Sequence, residues 1–230
     1  QGAAIQYASG CRRLLVVGFP FETLRVDQRA AVMAKALDYL DACPRLNTTI
    51  TTPEDSGAYR VSPVFDGVAS GRYLTTVWLQ LQSLDGYFWT GTSWSPADSW
   101  FVADDTESWD YTSLANTDKI PDGHHTLRAR VVGERSEDTS PAEVSFTLDR
   151  VAPTVPTVIT PTGGITVPGR IVTLSWTVAV DDGSPVHYNL DIDGNIASTD
   201  TVSYVVTPRL GPGPHVWRVQ AQDAAGNQSG

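Results

Sequence analysis

The sequence predicts a mainly β protein: two tandem β-sandwiches preceded by one strand and one helix. Three observations carry that expectation. Past residue 44 the apolar residues fall in short alternating runs separated by turn residues, with no helical period. A pattern in the middle of the chain recurs 90 residues later, so two modules of about 90 residues follow one another. Only residues 1–44 combine a continuous apolar run with a helical stripe.

Taken in order, Arg13-Leu14-Leu15-Val16-Val17, closed by Gly18, reads as a strand buried on both faces, as in a parallel sheet. After a turn through Phe19-Pro20-Phe21-Glu22, Asp27 is a good helix N-cap. Val32, Met33, Ala36, Leu37 and Leu40 then share one face, and Pro44 ends the helix. One βα unit cannot bury such a strand alone, so residues 1–44 are expected to be the C-terminal strand and helix of a larger α/β domain.

Residues 45–150 and 151–230 are expected to be the two sandwiches. Their strands are predicted at 73–81, 87–89, 125–132, 142–148, 171–178, 187–192, 202–206 and 216–221. Asp85-Gly86 and Asp193-Gly194 stand between apolar runs, the chemistry of a two-residue hairpin turn that needs positive φ. The repeat aligns Gly123, His125, Leu127, Arg128 and Val131 with Gly213, His215, Trp217, Arg218 and Ala221. Arg150-Val151-Ala152-Pro153-Thr154-Val155-Pro156 is the linker, its prolines favouring an extended connection.

Composition narrows the function. The chain has 230 residues, 41% hydrophobic and 18% charged, which suits folded domains rather than disorder. Its formal charge is −10, with 16 of the 26 acidic residues in 45–150, the wrong sign for phosphate backbones or anionic lipid. Nucleic acid is therefore excluded as a partner. No run approaches the ~18 apolar residues of a membrane span, and the N-terminus lacks a signal-peptide layout.

Two sets of residues make residues 45–230 resemble bacterial immunoglobulin-like and fibronectin type III-like modules, which occur in tandem in secreted and surface proteins. Gly213, His215, Trp217-Arg218-Val219, Ala221 and Asp223-Ala224-Ala225-Gly226-Asn227 are similar to the penultimate strand and following turn of such modules. Leu174-Ser175-Trp176 is similar to their core-tryptophan strand. The middle module departs from the pattern at Gly133-Glu134-Arg135, where the Asp-x-x-Gly-Asn turn is missing. Residues 13–43, with Gly18-Phe19-Pro20-Phe21-Glu22, look like the last strand and helix of α/β domains in large secreted bacterial proteins, some hydrolase-like or amidotransferase-like. The resemblance implies an extracellular or cell-surface setting.

Candidate chemistry is sparse. A strand of about six residues advances about 20 Å and a helix of about 16 residues returns about 24 Å, so Cys11 and Cys43 reach the same end of their unit. A disulfide between them is expected in an oxidising compartment; two buried thiols are the alternative. Glu22 lies just past the strand's C-terminal end, where α/β crevices bind ligands, and would be a crevice carboxylate or a structural one. Asp191-x-Asp193-Gly194-Asn195 begins like a calcium loop, but glycine falls at the fourth position and Val202 at the twelfth, which favours a hairpin. Asp104-Asp105 and Asp181-Asp182 are further oxygen-rich places that read as solvated loops, with calcium binding at a module junction as the alternative; no cofactor and no metal are expected. His125 and His215, matched in the repeat, point to a shared packing or turn role. No serine, histidine or P-loop motif selects a catalytic site.

The middle module carries 18 more residues than the last between its hairpin aspartate and its repeat glycine. The insertion holds Trp89, Trp94, Trp100 and Trp109 among carboxylates. Exposed, they would stack on sugar rings whose hydroxyls the carboxylates accept; buried, they would cover the sandwich edge. Asn47-Thr48-Thr49 and Asn227-Gln228-Ser229 fit the N-glycosylation pattern and are expected to be unmodified in a bacterium.

The function expected is that of non-catalytic spacer or adhesive modules in a larger secreted or surface protein. Its partners would be neighbouring domains of the same protein, copies of itself through module edges, or surface polysaccharide. The alternatives are a carbohydrate-binding accessory module of an extracellular hydrolase, or the C-terminal part of that enzyme.

Overall fold

The structure, a computed structural model, describes residues 4–9, 12–17, 24–41, 45–71, 73–134, 137–168, 171–182 and 184–230. Cys11, Cys43 and Glu22, with the expectations placed on them, lie outside these residues.

The first segment contains β1 (Ala4–Ser9), β2 (Arg12–Val17) and α1 (Val26–Asp41). The apolar run at residues 13–17 is a strand, as expected. Its described partner is antiparallel, however, with Ile5 opposite Val16 and Tyr7 opposite Leu14. The preceding segment thus supplies an antiparallel neighbour that the sequence alone did not predict. The helix begins one residue before Asp27: the backbone N–H of Arg25 donates to Gln28 Oε1 (3.1 Å), a side chain reaching back over the first turn. It lies against β2.

The middle module runs through β3 (Asn47–Thr52), β4 (Gly57–Tyr59), β5 (Phe65–Ser70), β6 (Leu74–Ser83), β7 (Phe88–Trp89), β8 (Trp94–Ser95), β9 (Phe101–Val102), β10 (Ser108–Tyr111), β11 (Gly123–Gly133) and β12 (Ala142–Leu148). One sheet has the order β10-β5-β3. The facing sheet has the order β4-β12-β11-β6-β7-β8, with β9 also paired to β6. The strict alternation of β11 buries His125, Leu127, Ala129 and Val131, opposite Ser83, Leu81, Leu79 and Val77 of β6. Leu127, Ala129 and Val131 with Leu81, Leu79 and Val77 meet Phe65 and Phe146 in a single core.

The Trp-rich insertion explains how the two layers are joined. From β6 the chain adds β7, β8 and β9 to one sheet, then crosses so that β10 pairs with β5 in the other. Trp89 and Trp109 point inward on this path, at 2% and 1% exposure. Trp109 lies over Gly67, where a Cβ would come within 2.3 Å of the indole and 2.0 Å of the Thr49 carbonyl oxygen. Only glycine permits that approach.

The last module contains β13 (Val158–Thr160), β14 (Thr173–Trp176), β15 (His187–Ile192), β16 (Asn195–Thr199), β17 (Ser203–Val205) and β18 (Trp217–Gln222). Its sheets have the orders β13-β14-β17 and β16-β15-β18. Leu174, Trp176, Tyr188, Leu190, Ile192 and Ala221 form its own core, with Trp217 packed against it. The rings of Trp176 and Trp217 lie 6.2 Å apart.

The two hairpins differ. Asp193 and Gly194 both adopt positive φ between paired Ile192 and Asn195, the expected two-residue turn. At Asp85-Gly86 only Gly86 does so. The bonds Gly86 N–H to Ser83 O and Ser83 N–H to Tyr87 O make a three-residue loop, correcting the two-residue turn.

Candidate functional site

The repeat has a common structural cause. Gly123 and Gly213 take φ of +121° and +135°, and each histidine two residues on bonds through Nε2 to the carbonyl four residues before it. His125 meets Pro121 O at 2.8 Å and His215 meets Gly211 O at 3.0 Å. A carbonyl only accepts, so Nε2 carries hydrogen in both and the histidines clamp turns. Their surroundings then separate them. His125 is buried between Trp94 and Phe146, and desolvation holds its pKa below the ordinary value. His215 Nδ1 faces Asp193 Oδ2 at 2.6 Å, a bond that raises its pKa.

The passage between the modules is short and fastened at both ends. Arg150 donates to the carbonyls of Ile120 (3.1 Å) and Thr117 (3.0 Å) and pairs with Asp122, which fixes it to the middle module. Four residues on, Thr154 exchanges bonds with Val180: its N–H donates to Val180 O (2.9 Å) and its Oγ1 accepts from Val180 N–H (2.7 Å). Pro153 and Pro156 are buried. The segment expected to be an extended linker is packed as part of the joint.

Across this passage reaches Asn227. Its Nδ2 donates to Asp149 O (2.8 Å), Val151 O (3.3 Å) and Asp223 Oδ2 (2.8 Å). The Asp223-x-x-Gly226-Asn227 turn aims it: Asp223 Oδ1 accepts the Asn227 backbone N–H, and Gly226 takes φ of +88°. An amide nitrogen so engaged is not presented for glycosylation.

Three carboxylates converge beside it. Asp149, Asp181 and Asp223 offer oxygens all within 4.8 Å of one another. Asp149 and Asp223 are only 3% and 1% exposed. Asp149 Oδ1 accepts from Val151 N–H (3.0 Å), and Ser184 Oγ bridges Asp149 and Asp181 at 3.4 Å each. Burial, then the charges of Asp181 and Asp223, raise the Asp149 pKa. Such a group of hard oxygens suits a divalent cation such as calcium. Sequence reasoning had singled out Asp181 but missed Asp149 and Asp223, whose meeting requires the joint to be folded. The other acidic pairs serve turns: Asp105 takes φ of +56° in the turn closed by Asp104 and Asp110, Asp191 accepts the Gly194 N–H of its own hairpin, and Asp193 accepts the N–H of Val216 just before β18.

Of the four tryptophans that would either stack on sugars or cover the sandwich edge, Trp89 and Trp109 are core residues and have no face to offer. Trp100 has Arg130 over its ring, 4.3 Å from the centroid. Trp94 lines a surface cleft of about 300 Å³, which it shares with Tyr87, Leu84, Asp85, Asp122 and His124. Tyr87, expected from sequence only as part of the strand at 87–89, also lines this cleft.

No protein-family model matches the chain, and no curated protein is found similar to it. Solved structures are. The fibronectin(III)-like modules of Clostridium thermocellum CbhA are 18% identical, with 80% of this chain and 90% of that chain covered and a TM-score of 0.48. The FN1–FN3 domains of chicken CNTN1 are 10% identical, covering 82% and 63%, at 0.46. The N-terminal eight Ig domains of Down Syndrome Cell Adhesion Molecule isoform 1.30.30 are 16% identical, covering 81% and 26%, at 0.28. The chain spans less than two thirds of the last two. Its own sheets and its two separate cores make the fold mainly β, built of tandem sandwich modules. No helix among the described residues is long and apolar enough to cross a membrane.

Proposed function

We propose that this chain is a non-catalytic spacer in a larger bacterial extracellular or cell-surface protein, holding the domains on either side at a set separation and angle. The observation that carries this reading is the doubly fastened joint. With Arg150 tied to one module, Thr154 to the other and Asn227 bonded across both, the intervening residues have little freedom to rotate. Rigid coupling is what a spacer needs and a flexible tether does not. Its natural partners are neighbouring domains of the same polypeptide, the paired strands β1 and β2 and helix α1 belonging to the one before.

In this reading calcium is the cofactor of the joint. Calcium takes oxygen ligands at about 2.3–2.6 Å, so ligands sharing one ion lie within about 5 Å of each other. Asp149, Asp181 and Asp223 meet that limit. Three carboxylates this close, two of them buried, repel unless a proton or a cation offsets the charge.

Residual dipolar couplings test the proposal. One alignment tensor shared by residues 45–150 and 151–230 is the expected result; two tensors of different magnitude would refute a rigid joint.

A further inference from the structure

We propose that the cleft beside the β6–β7 hairpin binds the ring of a neutral sugar. Three features of the cleft favour this class of ligand. First, Trp94 is a fixed platform. Its Nε1 donates to Lys119 O at 2.8 Å and its ring stands edge-on against Trp89, with centroids 5.7 Å apart, so it is held in place before any ligand arrives. Second, Tyr87 and Leu84 stand beside it, 47% and 77% exposed, which gives apolar surface where a pyranose face would lie. Third, Asp85 and Asp122 border the same cleft; Asp122 is paired with Arg150, which leaves Asp85 as the carboxylate to accept hydrogen bonds from sugar hydroxyls. The volume of about 300 Å³ suits one or two sugar rings rather than an extended site.

The charge selects against other occupants. A cleft bordered by carboxylates in a strongly acidic segment repels acidic polysaccharide. A proline-rich peptide docks on aromatic grooves too. Such a peptide's carbonyls are best met by a free indole N–H, whereas the Trp94 N–H is already bonded to Lys119 O; the Tyr87 hydroxyl remains as a donor, so the peptide is one outcome of the test. The site does not depend on the spacer role, so its failure would leave the joint untouched.

The test is a titration of the full chain with cellohexaose, mannohexaose, xylohexaose and chitohexaose, followed by amide and indole NMR shifts. At least one sugar should move the Trp94 indole and the Gly86 and Gly123 amides. Tyr87→Ala and Trp94→Phe should each weaken that sugar about tenfold, while Trp100→Phe leaves it unchanged. Tyr87 is exposed, so its variant keeps the fold, which the unperturbed spectrum of the last module and core would verify. No shift with any of the four at millimolar concentration overturns the proposal. Shifts mapping elsewhere, or cleft shifts produced by a polyproline peptide and not by the sugars, overturn it equally.

Discussion

Replacing Asn227 with alanine removes one side-chain nitrogen and, with it, three hydrogen bonds at the joint. Those to Asp149 O and Val151 O are directed at neutral carbonyls, worth about 0.5–1.5 kcal/mol each, and the third reaches a carboxylate, worth about 1.5–3 kcal/mol. The 3.3 Å bond to Val151 belongs at the low end, and Asn227 is partly exposed, so water replaces some of what is lost. The net cost is about 2 kcal/mol. For a module of this size that lowers the melting temperature of the last module by roughly 8–16 °C. The Asn227 backbone N–H bond to Asp223 Oδ1 survives, so the turn itself should persist. Differential scanning calorimetry on the full chain measures the loss, and amide exchange at Val151 and Thr154 should quicken with it. A melting temperature within a degree or two of the parent, with unchanged exchange, would refute the reasoning that Asn227 secures the joint.

Calcium should raise the melting temperature of the last module and a chelator should reverse it. Asp149→Asn should abolish the response and, without calcium, stabilise the joint by removing one buried charge; an unaltered response would place any ion elsewhere. Because the folded pKa of Asp149 is raised, its ionisation costs stability as pH rises through and above the ordinary carboxylate range, a slope that Asp149→Asn removes. His215, raised in the fold, contributes stability that is complete below its unfolded pKa and is lost as pH rises through the folded value. His125, depressed in the fold, contributes stability that is complete above its unfolded pKa and is lost as pH falls towards the folded value. NMR titration of the two rings should therefore bracket the ordinary histidine pKa from opposite sides, and coincident titrations would contradict both environments. Gly67→Ala, which drives a methyl into Trp109 and the Thr49 carbonyl, should cost the middle module about 3 kcal/mol in denaturant melts. An unchanged midpoint would mean that β5 does not pass beneath that indole.

The strands legible in the sequence are those whose apolar residues are large and alternate. β6, β11, β12 and β15 all have this pattern. β5 escaped notice because its buried face is Phe65, Gly67 and Ala69, the small residues making room for Trp109. β3 is threonine-rich and β16 is largely exposed, so neither shows an apolar period. β1 was missed for the same lack of a long apolar run, and with it the antiparallel pairing of the first segment. The repeat was readable down to its histidines, since the same turn requires the same glycine and the same Nε2 bond in both modules. The joint was not. Asp149, Asp181, Ser184, Asp223 and Asn227 are separated by as many as 78 positions and meet only through tertiary structure. The tryptophan insertion was visible as an insertion, but its inward direction follows from a crossover between sheets that no local pattern records.

The most direct measurement of the central claim is a pulsed electron resonance distance between the two modules, with genetically encoded spin labels at the exposed Glu107 and Ile196. A rigid joint predicts a single narrow distance distribution that broadens in Asn227→Ala. A broad distribution in the unaltered chain would contradict the account, because it would mean that the modules move freely about Val151–Pro153.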